Sequence, residues 1–370
     1  MPENWMNSIK LLLCLVLSSL INDVALAQQA VPAVTAGAAL VKLDSALAGR
    51  MTQFNVPGLS IAIVKDEKLM YAKSYGYADK EAGQKASNDN LYRIASVSKP
   101  VTYIAILKLV QDGKLSTDQT VFGKGGLLGE DYGKPPAGSN KELITVQHLL
   151  DHTSGWTNNP VDPMFTDTSL SRTQLIRALL LHLPLTTAPG KTSYYSNFGY
   201  CILGRVIEKI TGQKYEDYVK DQILKPCGIS NMKIGGNTLA QRLPKEVKYY
   251  QSEYNPYSMN VSRMDAHGGW VASATDLAKL MVHIDRNSAK PDIIKPELLN
   301  KAYFGYQNWV FNGSLPGTSS TLSRLDDHFS FVLLANTRTE NDYGDILKVF
   351  YETMKAEIFA VTKWPAGGTL

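Results

Sequence analysis

The feature that most constrains the fold is the placement of strand-like segments near the two ends of the chain. Two runs rich in β-branched and aromatic residues, 59–64 and 69–77, are separated by a short charged turn. No helical pattern lies between them, so they predict an antiparallel hairpin and not a βαβ unit. Comparable runs return only at 309–315, 318–324 and 329–335. The two groups together predict one antiparallel sheet that is built from both chain ends.

Helical patterns fill the middle of the chain. The one that begins at Ser96 is apolar on nearly all faces, which predicts a buried helix, and Gly113 fits its C-terminal cap. The predicted class is α/β in the α+β sense, an antiparallel sheet flanked by helices with an inserted, mainly helical subdomain. The predicted helices cover 40–54, 96–112, 145–152, 170–183, 198–211, 215–225, 275–286 and 341–357.

The first residues differ from the rest of the chain. Lys10 precedes an apolar run of about ten residues, and Ala25-Leu26-Ala27 follows it. This pattern is typical of a cleaved secretory signal, and the run is too short to span a bilayer. We therefore expect a secreted or periplasmic protein with no stable membrane anchor after cleavage. The expected organisation is a signal peptide at 1–27, a flexible segment at 28–39 and one domain at 40–360, with its sheet region at about 40–95 and 300–360 and its helical subdomain at about 96–299.

Composition places the chain among globular proteins and excludes one class of partner. The 370 residues are 44% apolar and 19% charged, and the net charge of +4 is not concentrated in a dense basic run. Nucleic acid is therefore not an expected partner. Two cysteines remain after the signal, Cys201 and Cys227, both in apolar surroundings. A disulfide between them and a pair of buried free thiols are both open.

Ser96 and Lys99 are three residues apart at the start of the buried helix, so their side chains share one helix face. Burial and the positive end of the helix dipole favour a neutral amine, which can take the proton of a serine nucleophile. The free backbone N–H groups there can stabilise an oxyanion. The alternative, which the spacing alone favours, is that Ser96 only caps the helix. The same spacing recurs at Ser230 and Lys233 with no helix behind it, so we interpret that copy as a turn.

A second polar segment, Tyr195, Ser196 and Asn197, stands at the loop end before the helix at 198–211. Side chains at such a junction can face a cleft, where a tyrosine relays a proton and an amide orients a substrate carbonyl. Capping by Ser196 or Asn197 is the alternative. Later, the glycines of segment 312–318 allow a ligand or another backbone to approach closely, and an ordinary hairpin turn explains them equally well.

Metal and cofactor chemistry has little support in the sequence. His148 and His152 are four residues apart, but no third ligand is suggested, so no metal and no cofactor are predicted. His267 precedes two glycines in a turn that we interpret as structural. The chain contains no G-x-S-x-G elbow, Walker A loop, G-x-G-x-x-G or H-E-x-x-H motif. The readings as an α/β-hydrolase, a nucleotide-binding protein or a zinc protease therefore lose their main support.

Several segments taken together resemble the serine β-lactamase-related family, which includes class C β-lactamases, D-alanyl-D-alanine carboxypeptidases and related esterases. The resemblance rests on their order along the chain and covers roughly residues 50 to 340. It implies a β-lactamase/penicillin-binding-protein-like fold. The six segments are 54–64, 92–99, 148–155, 195–200, 268–273 and 313–318.

The resemblance also implies roles for individual residues. Ser96 corresponds to the acylated nucleophile, Lys99 to the neighbouring base and Tyr195 to the proton relay to the leaving group. Whether Lys99 or Tyr195 takes the serine proton stays open. The oxyanion hole corresponds to the backbone N–H groups of Ser96 and, on the late strand, Ser314. The implied substrate-binding positions are Asn197, Gly313 and Ser314.

One position departs from the family pattern. Phe311 stands where the family usually carries Lys or His, so a cation that would face a substrate carboxylate and tune Tyr195 is absent. The stretch 295–308 is also short for the strand that normally precedes this motif. We expect these departures to affect substrate recognition more than acylation of Ser96.

Three functions remain open at this point. The first is an exported serine hydrolase that acylates Ser96 with a small-molecule or peptidoglycan-like substrate, such as a β-lactam or a D-Ala-D-Ala peptide. The second is a carboxylesterase of the same fold, because an alkoxide leaves more readily than an amine. The third is a catalytically impaired binding protein that kept the fold. The oligomeric state is not predicted.

Overall fold

A six-stranded antiparallel sheet joins the two ends of the chain in the computed structural model, which describes residues 38–287, 289–338 and 343–370. Strand β1 pairs with β2 on one side and with β9 on the other, in the order β3-β2-β1-β9-β8-β7. The sheet predicted from both chain ends is therefore confirmed. The strands are β1 (Gly58–Lys65), β2 (Lys68–Asp79), β3 (Gln84–Lys85), β4 (Tyr92–Arg93), β5 (Lys233–Ile234), β6 (Trp270–Ala272), β7 (Trp309–Leu315), β8 (Thr318–Arg324) and β9 (Phe329–Ala335).

The predicted signal peptide at 1–27, and the part of the flexible segment up to residue 37, lie outside the described residues. The first described helix begins at Ala38. Within the described ranges, no helix is both long and apolar enough to cross a membrane.

A second, smaller sheet was not expected. Its order is β4-β6-β5, and its strands are only two or three residues long, which is too short to carry a periodic pattern. The chain leaves β4 at Ile94, whose N–H donates to the carbonyl of Trp270 over 3.0 Å. This small sheet therefore fixes the segment that leads directly to Ser96.

Helices surround the main sheet and fill the middle of the chain. The helix predicted over 215–225 divides into an α-helix and a π-helical turn at Lys220–Leu224. The helix predicted over 275–286 ends at Met281, because the N–H groups of His283 and Ile284 bond to carbonyls three residues back and tighten the chain into a turn. The α-helices are α1 (Ala38–Gln53), α2 (Ser98–Gln111), α3 (Val146–Leu150), α4 (Arg172–His182), α5 (Asn197–Thr211), α6 (Tyr215–Val219), α7 (Asp265–Gly268), α8 (Ala274–Met281), α9 (Pro296–Leu299) and α10 (Tyr343–Ala360).

The main core lies between the sheet and the two terminal helices. Leu43 and Leu47 of α1 pack with Ile61, Phe331 and Phe350 in one apolar cluster. Helix α2 is buried along almost its whole length, as its all-round apolar sequence predicts. Both features provide a rigid support for the segment around Ser96.

Candidate active site

Ser96 lies in a short 3₁₀ turn, Ala95–Val97, immediately before α2. Ala95 takes a left-handed conformation with φ of 47°, which costs about 1–2 kcal/mol for a residue with a Cβ atom. The cap position of α2 belongs to Val97, which makes no side-chain cap hydrogen bond. The interpretation of Ser96 as a helix cap is therefore wrong, and its half-buried hydroxyl is left for other partners.

Two side chains from different parts of the chain meet at the Ser96 hydroxyl. The Tyr195 hydroxyl donates to Ser96 Oγ over 2.6 Å, and Lys99 Nζ lies 3.2 Å from the same oxygen. Lys99 Nζ also lies 4.6 Å from the centre of the Tyr195 ring. The structure thus brings together the three residues that the sequence predicted as a catalytic group.

The Lys99 amine has two further partners, and both are acceptors. It donates to Asn197 Oδ1 over 2.6 Å and to the carbonyl oxygen of His267 over 2.9 Å. A neutral amine has two N–H groups and one lone pair. Because the two acceptors take both hydrogens, the lone pair is left for Ser96.

The surroundings of Lys99 favour this neutral form. Its side chain is only 5% exposed, and this burial lowers the pKa of Lys99 to about 7. The carboxylate of Asp162 opposes the effect of burial and raises the pKa. A large fraction of Lys99 is therefore unprotonated near neutral pH.

The loop at 158–162 holds Asn197 in place, and no sequence pattern indicated this role. The Asn158 side-chain oxygen accepts the backbone N–H of Asn197 over 3.1 Å, and an Asp162 carboxylate oxygen accepts the Asn197 side-chain amide. The other Asp162 oxygen accepts the N–H of Met164 over 2.9 Å. Burial raises the pKa of Asp162, while these two hydrogen bonds lower it. Asp162 therefore fixes which end of the Asn197 amide faces Lys99.

The start of helix α5 explains why Tyr195 and Asn197 are so close to the nucleophile. Ser196 caps the helix by accepting the N–H of Gly199 over 3.2 Å. Tyr195 then lies just outside the helix and Asn197 is its first residue, 7% exposed. Ser196 has the capping role considered for this segment, so neither Tyr195 nor Asn197 serves as the cap.

His148 and His152 do not act as a pair. The Nδ1 atom of His148 accepts the N–H of Thr145 and completes the cap of α3. His152 accepts the N–H of Ser196 at Nδ1 over 3.1 Å, and its ring lies 4.7 Å from that of Tyr195. Burial, followed by the charge of Lys99, lowers the pKa of His152 to about 3, so the ring is neutral. In the described part of the chain, no group of three His, Cys, Asp or Glu side chains is arranged to hold a metal ion.

Strand β7 forms the opposite wall of a cavity of about 370 Å³ that also includes Ser96, Tyr195 and Asn197. Gly313 passes so close to the nucleophile segment that a Cβ atom there would lie 2.3 Å from the Ile94 carbonyl oxygen. Only glycine permits this approach without displacement of the backbone. Asn312 and Ser314 flank Gly313 on the other face of the strand and line the cavity.

Phe311 and the other residues singled out from the sequence lie elsewhere. The Phe311 ring packs with Tyr303, Phe304 and Trp309 at centroid distances of 5.3 to 6.4 Å, in an aromatic cluster. Ser230 lies three residues before the first residue of β5, is exposed and does not line the Ser96 cavity. Cys201 and Cys227 are buried free thiols, and burial raises the pKa of each, to about 11 and about 12.

Two curated proteins are similar to parts of this chain. Protein flp of Staphylococcus aureus (strain MW2) is 34% identical over 185 residues, which are 50% of this chain and 36% of that protein. Esterase EstB of Burkholderia gladioli is 27% identical over 248 residues, which are 63% of this chain and 61% of EstB. The chain therefore spans less than two thirds of either relative.

A solved structure and a family model cover more of the chain. The octameric penicillin-binding protein homologue from Pyrococcus abyssi superposes with a TM-score of 0.68 at 25% identity, over 86% of this chain and 77% of that one. The model of the beta-lactamase family matches residues 43–344, a range that contains every residue of the site. By the extent of this match and by its fold, the chain belongs to the beta-lactamase family.

Proposed function

We propose that the protein is a serine hydrolase that works through an acyl-enzyme on Ser96. The Ser96 oxygen attacks a substrate carbonyl carbon while its proton passes to the neutral Lys99 amine. The negative oxygen that forms faces the backbone N–H groups of Ser96 and Ser314. Tyr195 then gives its proton to the leaving group, the bond from the carbonyl carbon to that group breaks, and Lys99 returns a proton to Tyr195. Water afterwards hydrolyses the ester at Ser96.

The observation that carries this proposal is the set of partners of Lys99. Two fixed acceptors, Asn197 Oδ1 and the His267 carbonyl, leave one direction of the amine for Ser96 Oγ. Among the described residues, no carboxylate is in direct contact with this buried amine, so burial of its charged form is unfavourable.

For the substrate, we favour a neutral carboxylic ester. The aromatic cluster around Phe311 takes the place of a cation, so this side of the cavity offers nothing to a substrate carboxylate. Esters need neither such a cation nor a strongly assisted leaving group. The similarity to Esterase EstB is in line with this choice. We also propose that the protein is exported, on the basis of the signal pattern at 1–27.

A second candidate is a penicillin-recognising enzyme of the envelope. The specific observation in its favour is Asn197, whose amide stands beside both Lys99 and the cavity and can orient the amide of a β-lactam or a peptide. The two candidates share the acylation step and differ only in what reaches Ser96.

The test is the mass of the intact protein after brief incubation and acid quench, with a penicillin in one sample and p-nitrophenyl acetate in another. The Ser96→Ala variant is treated in parallel. An acetyl adduct or steady release of p-nitrophenol by the unchanged protein alone supports the esterase. A penicillin adduct or consumption of penicillin supports the second candidate. Equal behaviour of the two proteins in both samples contradicts the proposal.

A further inference from the structure

A second cavity, of about 510 Å³, opens directly beside the one that contains Ser96. The two share four lining residues, which form the passage between them: Phe165, Met264, Ser314 and Leu315. A substrate bound at Ser96 can therefore extend from one cavity into the other without leaving the protein surface.

The walls of this second cavity are largely apolar. Met164, Met259 and Met264 line it together with Leu315 and Pro316. Methionine side chains are flexible and polarisable, so they adapt to apolar groups of different shape. Further apolar surface comes from the rings of Phe165 and Tyr254.

Two of the polar residues in the wall use their side chains within the protein. The Asn260 amide donates to the carbonyl of Thr168 over 3.2 Å, and its oxygen accepts the N–H of Arg263 over 3.1 Å. The Ser258 hydroxyl donates to the carbonyl of Asn255 over 2.8 Å. The guanidinium of Arg338, which also lines the cavity, lies 5.9 Å from the centre of the Tyr254 ring. The cavity thus suits an apolar group better than a polar one.

The positions of the catalytic groups determine which part of the substrate enters the second cavity. Tyr195 lines the first cavity but not the second, and the leaving group departs next to Tyr195. Ser314, whose N–H is assigned to the carbonyl oxygen of the substrate in the function proposed above, lines both. The substituent on the acyl side of that carbonyl therefore points toward the second cavity.

We propose that the second cavity is an acyl subsite, and that the enzyme prefers esters of apolar acids of medium chain length over acetate esters. This inference rests on the function proposed above and adds a substrate class to it. Burial of each further methylene is worth about a fourfold gain in kcat/KM while the chain still fits.

The experiment compares p-nitrophenyl acetate, butyrate and hexanoate with the full-length protein. We expect kcat/KM to rise by about tenfold or more from acetate to butyrate, and again to hexanoate. Equal values along the series, or a fall with length, overturn the subsite and leave the esterase standing. If no ester of the series reacts, the function proposed above fails, and the subsite fails with it.

Variants of residues in the second cavity test whether the preference for longer acyl chains depends on this cavity. Met259 lines the second cavity but not the first, and Met259→Gln keeps its size but adds polar atoms, so the hexanoate-to-acetate ratio should fall about fivefold or more. Tyr254→Ser should lower the same ratio, and because Tyr254 is 54% exposed its replacement does not endanger folding. The matched control is Met51→Gln in α1, which should keep the ratio. An unchanged ratio in both cavity variants, with normal thermal melting, contradicts the proposal.

Discussion

Replacement of Asp162 by asparagine isolates the effect of a single charge on the base. Asp162 accepts a hydrogen bond from the Asn197 amide, and its charge raises the pKa of Lys99. Asparagine can still accept from that amide and removes the charge, but its NH2 group then replaces the oxygen that accepts the N–H of Met164. Lys99 works as a base only when it is neutral, so activity is lost as the pH falls through its pKa. The pKa of Lys99 should therefore decrease in Asp162→Asn, and the acid limb of kcat/KM should move to lower pH.

The size of the shift follows from the geometry. One amide group and two hydrogen bonds separate the Lys99 nitrogen from the Asp162 carboxylate, a path of about 7 Å. Two unit charges at about 7 Å and an effective dielectric constant of about 20 interact by about 2.4 kcal/mol, or about 1.7 pH units. Asp162 is half-buried and partly screened by water, so the expected shift is about one pH unit.

The assay is kcat/KM for an activated ester from about pH 5 to 9, in the unchanged protein and three variants. Asp162→Asn should shift the acid limb and keep the high-pH plateau within a few-fold. Asp162→Ala also releases the Asn197 amide, so its plateau should fall by about tenfold or more in addition. Asp118→Asn removes an exposed carboxylate elsewhere and should change neither. An acid limb that stays in place or moves upward in Asp162→Asn would refute the role of this charge.

Four other substitutions test the site and the second copy of its motif. Lys99→Ala should lower kcat at least about a hundredfold, and Ser230→Ala, from the second copy of the motif, should leave ester hydrolysis nearly unchanged; the reverse pattern would mean that the wrong serine was chosen. His152→Asn removes the ring beside Tyr195, so kcat should fall about tenfold, but the acid limb should not move because the pKa of His152 is about 3. Gly313→Ala places a Cβ atom 2.3 Å from a backbone oxygen, so the melting temperature and the acylation rate should both fall, and a normal rate would contradict the close approach.

The main sheet could be predicted because its strands are long enough to show a pattern. The hairpin of β1 and β2 has a charged turn. The ranges predicted for β7, β8 and β9 match the observed strands. The three-stranded sheet could not be predicted, since each of its strands has two or three residues. Its register depends on partners far along the chain, such as Arg93 with Val271.

The contacts within the catalytic group could also be predicted only in part. The relation of Ser96 to Lys99 is local, because residues three apart share a helix face. Tyr195 is 99 residues from Ser96, and only the family resemblance connected the two segments. Asp162 and Asn158 lie in a loop without periodicity, and nothing in the sequence indicates that their oxygens meet Asn197. Those contacts depend on how the loop folds over α5.

The proposed role of Ser96 as the nucleophile can be tested with a covalent label that is not hydrolysed. The full-length protein is treated with a p-nitrophenyl alkylphosphonate, digested and mapped by mass spectrometry, with Ser96→Ala in parallel. We expect one phosphonylated residue, Ser96, and no label in the variant. Labelling of another residue, or equal labelling of the variant, would contradict it.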